Sequence, residues 1–208
     1  MARPPDADSA KTYDSILAAA LRVLEAEGEH GSLSLRAVAR EAGCSQGTVQ
    51  YYFGSREELL EACLDGYYER LDAAVGAVVS EVRVDQPARS VELAARAFWS
   101  WARRDRALVR FRLGTTIVRG ELHPRRRQLL FGRGLAGWVP ALCAMCGMEE
   151  TEARLAVQAL ASRILGLAIL QPDDMAAFVE AEPGASPEAV LALAEAHVAR
   201  TAVRLLTP

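Results

Sequence analysis

The chain has no run of about 18 uncharged apolar residues, the length an α-helix needs to cross a bilayer, and its opening MARPPDADSAK lacks the apolar core of a signal peptide. No membrane partner is expected, and the reading points to a cytoplasmic protein. Histidine is scarce, and His30, His123 and His197 are too scattered to suggest a metal site. There is no glycine-rich phosphate loop, no nucleophile elbow and no metal-ligand set. Neither an enzyme nor a cofactor is therefore expected. Lysine is almost missing: Lys11 is the only one, so the basic residues are nearly all arginine, which together with abundant alanine reads as a GC-rich coding bias. With 24 basic against 27 acidic side chains and a net charge of −3, the chain also lacks the basic excess usual in nucleic-acid binders.

What is present is helical. The 208 residues are 51% hydrophobic, enough for a sizeable core without disulfide staples. No period-two strand pattern appears, and the apolar positions recur at helical spacing. The fold class expected is all-α. The organisation expected is a flexible tail over 1–12, a three-helix domain over 13–54, and a larger helical domain over 55–208. Tyr13 to Glu27 carries Ile16, Leu17, Ala20, Leu21 and Leu24 on one stripe. Ser55 with Glu58 forms a capping-box pattern before a long helix. Later helices are expected at about Ala88 to Arg104, Arg106 to Val118, Pro124 to Met145 with a bend or break at Pro140, Glu149 to Leu170, and Pro187 to Leu206. Linkers fall at 119–123, at Gly147 and over Gln171 to Ser186.

The segment SLSLRAVAREAGCSQGTVQYYFGSREELL reads as two short helices hinged at Glu41-Ala42-Gly43-Cys44, the layout of a helix-turn-helix. Ala39 falls where the two helices press together, so its small side chain allows a close crossing. Gly43 sits in the turn, where a positive φ costs glycine little. Ser34 and Ser45 are placed to cap the two helices. Val49 and Tyr52 share a face and are expected to pack back on Val38 and Leu35. The second helix would then expose Gln46, Gly47, Thr48, Gln50 and Tyr51, short or hydrogen-bonding residues that suit a major groove. Gly47 inside a helix has a reason if backbone and DNA approach closely. Acidic residues cluster on Glu25, Glu27 and Glu29, whereas Arg36 and Arg56 flank the reading helix. By spacing alone the unit could equally be a polar surface helix pair.

The full string A-x-x-x-A-G-C-S-x-G-T-V-x-x-Y-F-x-S-R-E-E-L-L, from about Tyr13 to Leu60, resembles the DNA-binding signature of TetR-family repressors. Cys44 stands where that family usually has valine, and Gln50 where it often has tyrosine. The resemblance implies that Thr48 and Tyr52 hold phosphates, that Arg56 touches the DNA backbone, and that Gln46, Gln50 and Tyr51 face the bases. The expected DNA-binding set is Ser34, Arg36, Ser45, Gln46, Gly47, Thr48, Gln50, Tyr51, Tyr52 and Arg56. It further implies a homodimer on a palindromic double-stranded DNA operator, a small-molecule effector and, most often, repression.

For the body, the aromatics Phe98, Trp99, Trp101, Phe111, Phe131 and Trp138 are candidates for the effector pocket that such regulators keep there. Arg103, Arg104, Arg106, Arg110, Arg112, Arg119 and His123 could supply its polar groups, for an uncharged or weakly anionic, largely apolar ligand with an aromatic or acyl part. The last two helices carry many alanines, which permit close approach around a two-fold axis; Leu160, Ile164, Leu167, Val190, Leu193, His197 and Thr201 are the candidate dimer contacts. Two readings compete. Cys143-Ala-Met-Cys146 could be the thiol centre of a redox sensor or enzyme, although its apolar surroundings read as core. The chain could also be an architectural DNA binder without sequence preference.

Overall fold

Serines open four of the helices. Ser34 Oγ accepts from the Ala37 amide at 3.4 Å, Ser45 Oγ from Thr48 at 3.0 Å, and Ser186 Oγ from Ala189 at 3.3 Å. At Ser55 the capping box closes both ways: the Glu58 amide donates to Ser55 Oγ at 3.1 Å and the Ser55 amide to Glu58 Oε2 at 3.0 Å. Proline takes the first position of two others, at Pro87 and Pro172, and also follows the Ser186 cap at Pro187; its missing N–H is no loss there.

The computed structural model of the chain describes residues 7–26, 33–120, 127–128 and 135–207, and among them there are helices and no strand. In order they are α1 (Ala7–Ala26), α2 (Leu35–Ala42), α3 (Gln46–Phe53), α4 (Arg56–Val79), α5 (Pro87–Arg104), α6 (Arg106–Arg119), α7 (Leu135–Cys146), α8 (Glu150–Ala168), α9 (Pro172–Phe178) and α10 (Pro187–Leu206). None of the described helices is long and apolar enough to cross a membrane. The chain divides into two compact units, Met1–Tyr67 with Arg110–Gly120, and Tyr68–Val109 with Glu121–Pro208.

In the first unit, α1, α2 and α3 enclose Ile16, Ala19, Ala20, Val38, Ala39, Val49 and Phe53, all buried. Gly43 is the left-handed residue that ends α2, with φ of 68°. Its amide donates to Arg40 O at 3.3 Å and the Cys44 amide to Ala39 O at 2.9 Å, which satisfies two carbonyls that the helix end would orphan. The first three turns of α4 bury Leu59, Cys63, Leu64 and Tyr67, so this unit runs past residue 54.

Three expectations change. Helix α1 begins at Ala7, inside the stretch read as a tail: Asp8 lies in its first turn and pairs with Lys11 at 3.7 Å, and Thr12 Oγ1 donates to Asp8 O at 2.8 Å. The stretch read as a linker after Gln171 contains α9, which has Pro172 at its start, Asp173 and Asp174 in the first turn and Met175 fully buried. Helix α7 runs through Pro140 without a break. The expected beginning of that helix, from Pro124, lies largely outside the described residues.

In the second unit, α5 lies against α8 and α10 around Val91, Ala95, Ala194, Val198 and Ala202. Ion pairs work at its edge. Arg70 Nη1 meets the buried Asp105 carboxylate at 2.6 Å, and Arg96 bridges Glu92 at 2.9 Å and Glu195 at 3.0 Å.

The two turn glycines are separable by measurement. An added Cβ at Gly43 meets nothing within 4 Å, so Gly43→Ala is expected to cost only the left-handed backbone penalty, roughly 1–2 kcal/mol. At Gly54, with φ 68° and ψ −66°, the added Cβ would collide with the Glu58 carboxylate and displace the capping box. Gly54→Ala should therefore lose more stability than Gly43→Ala in urea unfolding; equal losses would remove the capping box from the account.

Candidate nucleic-acid interface and ligand cavity

Helix α3 has one packed edge and one bare one. Val49 is fully buried and Phe53 nearly so, the Phe53 ring stacking on Tyr13 with centroids 4.6 Å apart. Phe53 rather than Tyr52 thus partners Val49, because residues four apart lie more nearly over one another on this short helix than residues three apart. Tyr52 is half-buried: its hydroxyl bonds Ser9 Oγ at 3.2 Å and its ring meets Tyr51 edge-on at 5.3 Å. Gln46, Gly47, Gln50 and Tyr51 are exposed, Tyr51 by 84%. Apart from its edge-on contact with Tyr52, the Tyr51 ring is turned to solvent.

Gly47 is informative for what it does not touch. A Cβ there would meet only Ser45 Oγ, at an ordinary 3.6 Å, so nothing inside the protein requires glycine at this helical position. Ser45 and Thr48 hydroxyls join at 2.8 Å at the amino end of α3, beside its free amides. Ser34 and Arg36 are exposed at the start of α2. Arg56 Nε donates to Leu33 O at 2.8 Å and its Nη1 lies 3.6 Å from Glu57, so this side chain braces the entry to α2 as well as standing near α3. Arg22 and Glu41 form a 2.6 Å bond between α1 and α2. Of the acids read as a cluster, Glu25 is exposed, and Glu27 and Glu29 lie outside the described residues, as does His30.

The second unit holds a cavity of about 130 Å³. Helix α4 contributes Leu71, Ala74, Val75 and Val78 to it, α5 contributes Val91 and Phe98, α7 Trp138 and Leu142, α8 Val157, Leu160 and Ile164, and α10 Leu206. Of the aromatics expected to line a pocket, Phe98 and Trp138 do. Trp99 and Trp101 are each 2% exposed and pack outside the cavity, Trp101 stacking on Phe98 at 5.3 Å; Phe111 belongs to the first unit; Phe131 lies outside the described residues.

The arginines expected as polar lining are turned elsewhere. Arg103 Nη1 donates to Ala168 O at 2.7 Å and Leu170 O at 2.9 Å, closing the end of α8, and burial beside Arg106 lowers its pKa below the ordinary arginine value. Arg104 leans on Asp105, and Arg106 Nη1 donates to Gln171 Oε1 at 3.0 Å. Arg110 and Arg112 do not line the cavity either. The Arg119 side chain and His123 lie outside the described residues.

Helices α8 and α10 each show a second face. Leu155 is 66% exposed, Leu193 44% and Leu205 48%, alongside exposed Ala159, Ser162, Gly166 and Ala192. Arg163 donates to His197 Nε2 at 3.0 Å across the two helices, and burial, with Arg163, Arg200 and Arg204, lowers the His197 pKa. Leu193 and His197 are thus exposed on this face, while Leu167 and Thr201 are half-buried. Leu160, Ile164 and Val190 are not on it: they are buried in their own unit, the first two against the cavity, because both sides of α8 are apolar and spacing alone does not distinguish them.

No disulfide joins the four cysteines: Cys63 is buried, and Cys44, Cys143 and Cys146 are half-buried. Burial pushes the Cys146 thiol up, away from the thiolate that redox chemistry needs.

Comparison with known proteins gives a consistent picture. Residues 16–63 match the family model described as bacterial regulatory proteins, tetR family. An uncharacterised helix-turn-helix transcriptional regulator of Xanthobacter autotrophicus is 50% identical over 62 residues, 30% of this chain and 30% of that protein, so the chain matches under a third of that relative's length. The regulator EthR of Mycolicibacterium smegmatis is 27% identical over 181 residues, 86% of this chain and 80% of its own. The crystal structure of a TetR-family regulator from Mesorhizobium loti superposes with a TM-score of 0.62 at 17% identity, covering 96% of this chain and 98% of that one, and shares the fold.

The cap of α3 is open to direct test. Ser45→Ala removes the side-chain acceptor of the Thr48 amide, leaving its 3.0 Å bond to Ser45 O, and is expected to cost about 1 kcal/mol, with faster hydrogen exchange at Thr48 and Val49. Unchanged exchange there would mean that α3 is held by packing alone.

Proposed function

We propose, since the chain belongs to the TetR family of bacterial transcriptional regulators, that it acts as a homodimeric repressor which binds a palindromic operator and is released by a small effector held in the cavity of its second unit. The observation that carries the DNA-reading half is the bare edge of α3. Gln46, Gln50 and Tyr51 are exposed, Tyr51 meeting the Tyr52 ring edge-on, and Gly47 has no internal neighbour that demands it.

In this reading Gln46 and Gln50 read base edges, glutamine being able to pair with adenine through both side-chain groups. Thr48, Tyr52 and the amino end of α3 hold phosphates. Arg36 and Arg56 add positive charge beside them. With a net charge of −3, long-range attraction to DNA is weak, so affinity depends on these few contacts and on the second copy. The outer faces of α8 and α10, with Leu193 and small residues at the surface, form the dimer contact. A single helix supports the coupling: α4 buries Leu59, Leu64 and Tyr67 in the first unit, and farther along the same helix Leu71, Val75 and Val78 wall the cavity. An effector needs only a few kcal/mol of differential affinity for the DNA-unfit state to release the operator.

Selection from a random duplex library is expected to return an inverted repeat, whereas equal affinity for operator and random duplex at matched salt would favour an architectural role. On the selected site, Thr48→Ala should weaken all sequences alike, and Gln50→Ala should relax preference at particular base pairs by about 1–3 kcal/mol. Uniform loss from the glutamine change would reassign Gln50 to the backbone. For assembly, Leu193→Glu is expected to yield monomers in sedimentation at concentrations where the unaltered chain is a dimer; persistence of the dimer would move the interface off α8 and α10.

A further inference from the structure

Resting on the reading of the cavity as the effector site, we infer that its ligand is a compact, uncharged, apolar molecule of about one aromatic ring, with at most one hydrogen-bond acceptor. Three features of the cavity lead there.

The first is size. A volume of about 130 Å³ is below the range of pockets that take drug-sized ligands, and it is close to that of an engineered apolar cavity which stays dry and binds benzene. A ring with one small substituent fits within it; a fused multi-ring compound or a long acyl chain would have to project from its open side or move the walls apart.

The second is lining chemistry. Every described lining residue is apolar, and only Trp138 brings a side-chain polar atom, its indole N–H. A ligand carboxylate or ammonium would enter without a counter-charge and lose its hydration uncompensated. The arginines nearby in sequence do not alter this. Arg103 is committed to the carbonyls of Ala168 and Leu170, Arg106 to Gln171 and Arg96 to two glutamates. Among the described residues, no cationic side chain lines the cavity.

The third is shape. Phe98 and Trp138 present aromatic surfaces, which favour an offset or edge-on ring, while Val75, Leu142 and Ile164 close the remaining sides. Space is left by small residues, among them Ala94 and Ala161. A weakly anionic effector, one of the chemistries open from sequence, is thereby disfavoured.

The test uses the full chain and five probes at pH 7: toluene, acetophenone, benzoate, benzylammonium and hexadecanoate. Binding is read by thermal shift and ligand-observed NMR, and release by dissociation of the selected duplex. Toluene and acetophenone are expected to bind, and benzoate and benzylammonium at least about tenfold more weakly, each tenfold being about 1.4 kcal/mol. Ala161→Phe, or Ala94→Leu should the first fail to fold, fills the cavity and should abolish toluene binding. Tighter binding of benzoate or hexadecanoate than of toluene, no binding by any probe, or toluene binding unchanged in a folded filled variant would each overturn the inference. The two readings fail separately. Toluene bound in the cavity without release of the duplex would uphold the ligand class and sink the effector role. Hexadecanoate releasing the duplex would do the reverse.

Discussion

The left-handed turn at Gly43 is the constraint on which the first unit depends. It ends α2 with both closing bonds made, to Ala39 O and Arg40 O, and it sends the chain directly into the Ser45 cap of α3. Two residues, Gly43 and Cys44, therefore separate the last helical residue of α2 from the cap of the next helix. The close crossing that results is possible because Ala39 is small, and it buries Val38 against Val49 in the core. Once Val49 and Phe53 are turned inward, the other edge of α3 has no choice but to face outward. The exposure of Gln46, Gln50 and Tyr51 follows from the turn as much as from their own polarity.

What could be read in the sequence was whatever is decided locally. The serine caps, the capping box at Ser55 and Glu58, the turn glycine and the helical periods are properties of a few neighbouring residues, and each appears where the pattern put it. What could not be read was decided by partners distant in the chain. Tyr52 and Phe53 are adjacent aromatics; the four-residue spacing from Val49 favours Phe53, and the Tyr13 ring on α1, distant in the chain, stacks on it. Met175 looked like part of an acidic linker because one buried methionine on seven residues has no period to reveal it. Leu160 and Leu155 are both leucines on α8, yet one lines the cavity and the other is 66% exposed. A helix that is apolar on two sides does not announce which side meets its own chain.

The second unit separates charge from apolar surface. Arg70 with Asp105, Arg96 with Glu92 and Glu195, and Arg103 with the end of α8 all lie at the margins of the packed helices. Of these, the half-exposed Arg96 pairs contribute little individually to stability, whereas Arg70 serves a buried Asp105 carboxylate. Their effect on the interior is larger: each arginine with a committed partner is one fewer charge available to the cavity. The aromatic count in the sequence suggested a pocket built by six rings, but two of them, Trp99 and Trp101, serve ordinary packing, and small aliphatic residues on five helices do most of the enclosing.

The cavity of about 130 Å³ is walled by apolar side chains and is half-open rather than sealed. Alanines at 74, 94, 95 and 161 leave that space where larger aliphatic residues would close it. Under the proposed function, an apolar molecule held there would favour whichever arrangement of the walls fits it best. One of those walls is α4, whose Leu71, Val75 and Val78 line the cavity while Leu59, Leu64 and Tyr67, earlier on the same helix, are buried in the first unit. In that reading, a single continuous helix is what carries the ligand's preference toward α3.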